Sequence, residues 1–119
     1  MKVIYICHAF AGDPRGNVAR ISQICAELKD ECVPLAPHLL LPAYIDEATE
    51  RDLALRHCLR LLAVCDEVRV YGEPTAGMRL EITEARRLGV SVVMANGAKR
   101  DDPRGDCPEV VGELRVPSC

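Results

Sequence analysis

Four short apolar runs, residues 2–7, 32–36, 67–71 and 90–95, alternate along this chain with longer stretches whose apolar positions recur at helical spacing. Strands that follow one another through helices must run parallel, because a parallel pair needs a crossover of a dozen or more residues. The order βαβαβαβ therefore predicts an α/β fold: a single-domain three-layer sandwich around a parallel, flavodoxin- or Rossmann-like sheet with right-handed crossovers. Pro34 lacks an amide proton, which predicts an edge position for the second strand. In an open parallel sheet, ligands bind beyond the carboxyl ends of the strands, where the strand order reverses. That rule selects the loops at residues 7–15, 37–44 and 72–77. They gather Tyr5, His8, Asp13, Arg15, Asn17, His38, Tyr44, Glu73 and Thr75.

The helical stretches are less alike than the strands. In residues 17–29, Val18, Ile21, Ile24, Cys25 and Leu28 form one apolar stripe, with Asn17 as the expected cap. Residues 47–65 give the longest predicted helix. Its apolar surface is wider than one sheet face needs, which predicts contact with a second subunit and hence a homo-oligomer. His57, in the middle of that helix, is expected at its surface or at that interface. The third helix, residues 78–88, carries the anomaly. At about 100° per residue, Met78, Ile82, Ala85 and Leu88 share one side, and Glu81 projects within the same arc. Buried acids are uncommon unless paired. A carboxylate facing inward, one turn into a helix that follows a strand, is where an enzyme holds a nucleophile or base.

Composition narrows the chemistry. The 119 residues, 49% of them hydrophobic, suit one domain with an aliphatic core, since Trp is absent and only one Phe and three Tyr occur. So few aromatics leave little for stacking single-stranded bases. A net charge of -3 without a Lys/Arg run argues against a nucleic-acid polymer as partner. No apolar run is long enough to span a bilayer, and no signal pattern opens the chain, so a cytoplasmic protein with no membrane partner is expected. Among seven cysteines, Cys7, Cys25, Cys58 and Cys65 lie in apolar contexts, as reduced core thiols do. Residues 97–119 are rich in turn formers and charge. They read as an irregular C-terminal tail after a domain at 1–96, with a short edge strand at 114–116.

Several chemistries are excluded by their own requirements. The first loop offers one Gly where a dinucleotide fingerprint needs three, and no G-x-x-x-x-G-K-[ST] occurs. His8, His38 and His57 stand apart without a zinc-ligand pattern, so no metal is expected.

Three segments carry a resemblance: residues 5–12 (YICHAFAG), 65–72 (CDEVRVYG) and, most specifically, 75–89 (TAGMRLEITEARRLG). Over residues 1–95 the chain resembles the nucleoside 2-deoxyribosyltransferase-like superfamily, which includes deoxynucleoside-monophosphate N-glycosidases and small bacterial and phage relatives. The resemblance implies that Glu81 is the nucleophile attacking the anomeric carbon of a deoxyribosyl group. It also implies that Tyr5 binds the sugar, that Thr75 and Gly77 bind the 5′ substituent, and that His8, Asp13 and His38 line the pocket. The implied ligand is a small nucleoside or nucleotide, with no cofactor. Water would then give hydrolysis and a second base would give transfer. The chain departs from the pattern in two places. Cys58 falls where the family has a catalytic Asp, with Asp46 and Asp52 as nearby substitutes, and Ala9 and Ala11 replace a phosphate-binding Ser and Arg, with Arg15 and Arg79 at hand. A catalytically weak nucleotide-binding sensor of the same fold is the alternative, and a purely structural domain is a third reading.

Overall fold

The structure, a computed structural model, describes residues 1–95. The expected tail and the strand at 114–116 lie outside the described residues. Strands β1 (Val3–Cys7), β2 (Val33–Leu35), β3 (Glu67–Val70) and β4 (Ser91–Met94) form one sheet in the order β2-β1-β3-β4, and every neighbouring pair is parallel. This is the expected α/β architecture, with Pro34 on an edge strand. The order reverses between β1 and β3, which marks the carboxyl ends of these two strands as the expected ligand crevice.

Alternation along the strands builds two cores. Ile4 and Ile6 of β1 face helix α1 (Pro14–Leu28) and pack with Ile21, Cys32 and Ala36. Tyr5, Cys7, Val68 and Val70 face the other way, toward α3 (Arg51–Leu62) and α4 (Ala76–Leu88), packing with Ala54, Cys58, Leu62, Met78, Ile82 and Ala85. Helices on both faces complete the three layers. Each fully buried Val, Leu or Ile here contributes on the order of 1.5–3 kcal/mol by leaving water. Glu67, which is buried, and Arg69 lie on the α1 side of β3 and join in a 2.8 Å ion pair. At the opposite end of the strands from the crevice, Asp66 fastens β1 to β3. Its carboxylate accepts from the Val3 amide at 2.7 Å, and its own amide donates to the Val3 carbonyl at 2.8 Å.

Local chemistry moved several boundaries. Helix α1 starts at Pro14 and its cap is Asp13, whose carboxylate accepts from the Gly16 amide at 3.3 Å. Proline is well suited to a first helical turn, and that shifts the start upstream of Asn17. A Cβ on Gly16 would collide with the capping carboxylate. Residues 37–44, expected as a loop, contain a short helix α2 (Pro37–Leu40) and a 3₁₀ turn (Leu41–Ala43). The long helix predicted from residue 47 begins at Arg51. Upstream, Asp46 accepts from the Ala48 amide while Glu50 accepts from the Asp46 amide, each at 2.9 Å, which holds a turn instead. Leu88, placed by spacing with the buried arc, is exposed. It stands at the last turn, where Gly89 takes φ +77° and ends the helix.

Candidate active site

Tyr5 and Cys7 are two residues apart on β1 and so project from the same face of the sheet. Helix α4 crosses that face. Thr75 caps it, accepting from the Met78 amide at 3.2 Å, and this fixes the helix start so that Glu81 arrives one turn later over β1. The Glu81 side chain is thereby sunk to 6% exposure. Its two oxygens are held separately: Tyr5 donates its hydroxyl to Oε2 at 3.1 Å, and Cys7 donates its thiol to Oε1 at 3.3 Å. The Cys58 thiol, reaching in from α3, completes a ring of neutral donors around the carboxylate.

No cation pairs with Glu81 among the described residues. Burial disfavours its ionised form and raises its pKa above the ordinary 4.5, against the opposing pull of the bonds from Cys7, Tyr5 and Cys58. Glu47, half-buried in the turn before α3, adds a further upward push by charge repulsion. The donors respond in kind. Burial, then the Glu81 charge, drives the Tyr5 hydroxyl and the Cys7 thiol far up, and the Cys58 thiol to about 12. All three stay protonated donors at neutral pH, and the carboxylate is the basic, electron-rich centre of the cluster.

The loop after β1 continues directly from Cys7, and its Ala9 packs on the same core as this cluster. His38 donates from Nε2 to the His8 carbonyl at 2.9 Å and stacks on Phe10, with ring centroids 4.9 Å apart. His8 donates from Nδ1 to the Ala9 carbonyl at 2.8 Å. Burial lowers the His38 pKa, which favours its neutral imidazole. Asn17, buried inside α1 rather than capping it, donates to the Phe10 carbonyl at 2.9 Å and ties this loop to the helix.

Of the residues singled out in the sequence, Glu81 and Tyr5 are in direct contact, and His8 and His38 are joined to each other in the segments that follow β1 and β2. Asp13 stands apart as the α1 cap, its exposed carboxylate 3.5 Å from Arg20. Thr75 and Gly77 lie exposed at the start of α4, where the Thr75 hydroxyl is occupied in capping and nothing stands within 4 Å of a Cβ built on Gly77. Asp46 and Asp52, the acids weighed against Cys58, are both exposed, Asp46 engaged in its turn and Asp52 in the first turn of α3. Arg15 and Arg79 are exposed as well. His57 is half-buried, with its ring 6.3 Å from that of Tyr44. Sequence reasoning missed Cys7 and Glu47. The Tyr5–Cys7 spacing of two was the available signal for Cys7. Glu47 was assigned to a helix that starts later, and nothing in the sequence marked it.

Among the described residues, no group of three or more His, Cys, Asp or Glu could hold a metal ion, and no helix is long and apolar enough to cross a membrane. Cys7, Cys25, Cys32, Cys58 and Cys65 are free thiols.

Among solved structures, the fold is similar to that of a 2-deoxyribosyltransferase from the psychrotolerant bacterium Bacillus psychrosaccharolyticus. The TM-score is 0.59 at 19% identity, covering 76% of this chain and 69% of that one. At that identity the likeness speaks for the fold. No match is found among curated proteins. Residues 2–95 match the family described as Domain of unknown function (DUF7768), and the chain belongs to it.

Proposed function

We propose that this protein cleaves or transfers the N-glycosidic bond of a (deoxy)nucleoside or nucleoside 5′-monophosphate, with Glu81 as the nucleophile. One observation carries the reading. A carboxylate without a cationic partner is buried at the switch point of a parallel sheet, with each oxygen held by its own neutral donor. A structural acid in such a place is normally paired with a cation. Here burial keeps the carboxylate basic, which suits attack on carbon. The structural neighbour, a 2-deoxyribosyltransferase described as a biocatalyst for nucleoside synthesis, supports the same chemistry.

In this reading an ionised Glu81 oxygen bonds to C1′ of the sugar as the C1′–N bond breaks, and the electron pair leaves with the base, which is protonated from solvent or a neighbouring acid. Water or a second base nitrogen then bonds to C1′, loses its proton, and returns the pair of the C–O bond to Glu81. Tyr5 orients the carboxylate and the sugar. His8 and His38 line the base side. Thr75 and Gly77 begin the helix whose free amides would meet the 5′ substituent, and Asp13 borders the entrance. The protein carboxylate supplies the covalent chemistry without a cofactor. We further place the protein in the cytoplasm as a homo-oligomer, the half-buried Leu55 and Leu59 of α3 and the exposed Leu39, Leu40 and Tyr44 forming the contact.

The test is a covalent trap. A 2′-fluoro-arabino nucleoside or nucleotide is expected to add one glycosyl mass to the wild type and none to Glu81→Ala, and a panel of nucleosides and monophosphates should release free base. Binding without base release or adduct would instead establish a nucleotide-binding module, the reading that Cys58 in an acid's place favours.

A further inference from the structure

Among the donors to Glu81, Cys7 is the one that ends β1, and a thiol is an unusual choice there. It is a weak donor at a site that a Ser would fill with a stronger one. Its thiol is fully buried and meets Oε1 at 3.3 Å, while the Tyr5 hydroxyl takes Oε2. Parallel strands all run toward the crevice, and Cys7 is the last residue of β1. It therefore lies about 7 Å nearer the crevice than Tyr5, at roughly 3.3 Å of rise per residue. Oε1 is on that side. A strong donor there would draw the lone pair away from carbon, and no donor at all would let the carboxylate rotate about its last side-chain bond. A thiol avoids both losses.

We propose that Cys7 is a positioning residue for Glu81, its thiol aiming Oε1 at the crevice through a hydrogen bond weak enough to be given up when that oxygen bonds to carbon. The inference rests on Glu81 being the reacting carboxylate. Among the described residues, the polar groups that act on Glu81 are Tyr5 and Cys7 from β1, Cys58 from α3 and Glu47 from the turn before α3. Of the two donors on β1, Cys7 is the one that meets Oε1, at the strand end that leads out to the ligand loops. A Cys kept merely as a small buried hydrophobe would fill space there. It would have no effect of its own on how Glu81 titrates.

The experiment reads Glu81 directly, by ¹³C NMR of glutamate-labelled protein, with Glu81→Gln identifying the resonance. Cys7→Ala is expected to move the Glu81 midpoint up and Cys7→Ser to move it down. In base release, both variants should lose kcat, by about tenfold (about 1.4 kcal/mol in the barrier), with KM little changed. Midpoints that stay put, or move in the same direction, overturn the positioning role even if base release is normal. Opposite shifts without base release from any nucleoside or nucleotide, the wild type included, overturn the catalytic reading of Glu81 instead. Should either variant fail to fold, Cys58→Ala answers in their place. With the other neighbouring thiol gone, an infrared S–H band is expected to shift to lower frequency as Glu81 ionises, and a spectrum in which no S–H band follows that titration overturns the pairing.

Discussion

Replacing Glu81 by Gln should make this protein more stable at neutral pH while removing the base release proposed for it. The raised pKa means that the folded state holds a proton on Glu81 more tightly than the unfolded state does. Its favourable contribution is therefore complete below the unfolded value, near 4.5, and is lost as pH rises through the higher folded value. Above that value the fold carries a buried charge. Burying an ion costs several kcal/mol after relaxation. Hydrogen bonds to a charged group return about 1.5–3 kcal/mol each, with the thiols at the weak end. The raised pKa says that the cost wins, by about 1.4 kcal/mol for each unit of displacement. Gln keeps the shape and still accepts from Tyr5, but it turns an amide toward Cys7 that finds only a weak acceptor. Gln is therefore the more stable residue at pH 7.5, and each unit of displacement is worth roughly 5–10 °C in Tm for a domain of this size. Thermal melts of both proteins by circular dichroism across pH 4–8 read the difference, in which all other titrating groups cancel. The gap should shrink as pH falls and settle to a constant below about 4.5, where Glu81 is protonated in both the folded and the unfolded chain. A Glu81→Gln protein that is no more stable at pH 7.5, or a gap that is the same at pH 4, refutes the account of an uncompensated buried carboxylate.

Two further outcomes test the surroundings of the site. Thr75→Ala should cost about 0.5–2 kcal/mol in urea denaturation by removing the α4 cap, and Thr75→Ser should restore it; a full loss of base release in the stable Ser variant would show that the methyl group, rather than the cap, matters to the ligand. Glu47→Gln removes a charge that pushes Glu81 upward, so the Glu81 midpoint should fall and the neutral-pH gain from Glu81→Gln should narrow. An unchanged midpoint would place Glu47 outside the electrostatics of the site.

How much of this was legible in the sequence depended on whether the signal was periodic or spatial. The strands, their parallel order and the edge position of Pro34 followed from alternating apolar runs and one missing amide. Glu81 was visible because helical periodicity has a direction, and a carboxylate inside an apolar arc breaks it. Spacing alone makes Asn17 the cap of α1 where Asp13 fills that role, because either side chain can cap a helix and only the Pro14 start separates them. Cys58 looked like a missing acid. In the fold it is a donor to the same carboxylate, a role that needs the α3–α4 packing to become visible. Glu47 was hidden for a related reason: its turn is set by side-chain bonds at Asp46 and Glu50, which periodicity does not encode.

The central place of β1 in the sheet has a kinetic consequence. The strand that supplies Tyr5 and Cys7 is flanked by β2, about thirty residues later, and by β3, more than sixty residues later. Closing the longer of these loops is the entropically harder step, and contacts so distant in sequence form slowly. Until β3 docks, α4 has no surface to cross and Glu81 remains in water, an ordinary solvated acid. The buried carboxylate thus comes into being at the close of folding. A chain cut short on the ribosome before β3 and α4 carries Tyr5 and Cys7 but not the acid they hold, so the cluster exists only in the completed sheet.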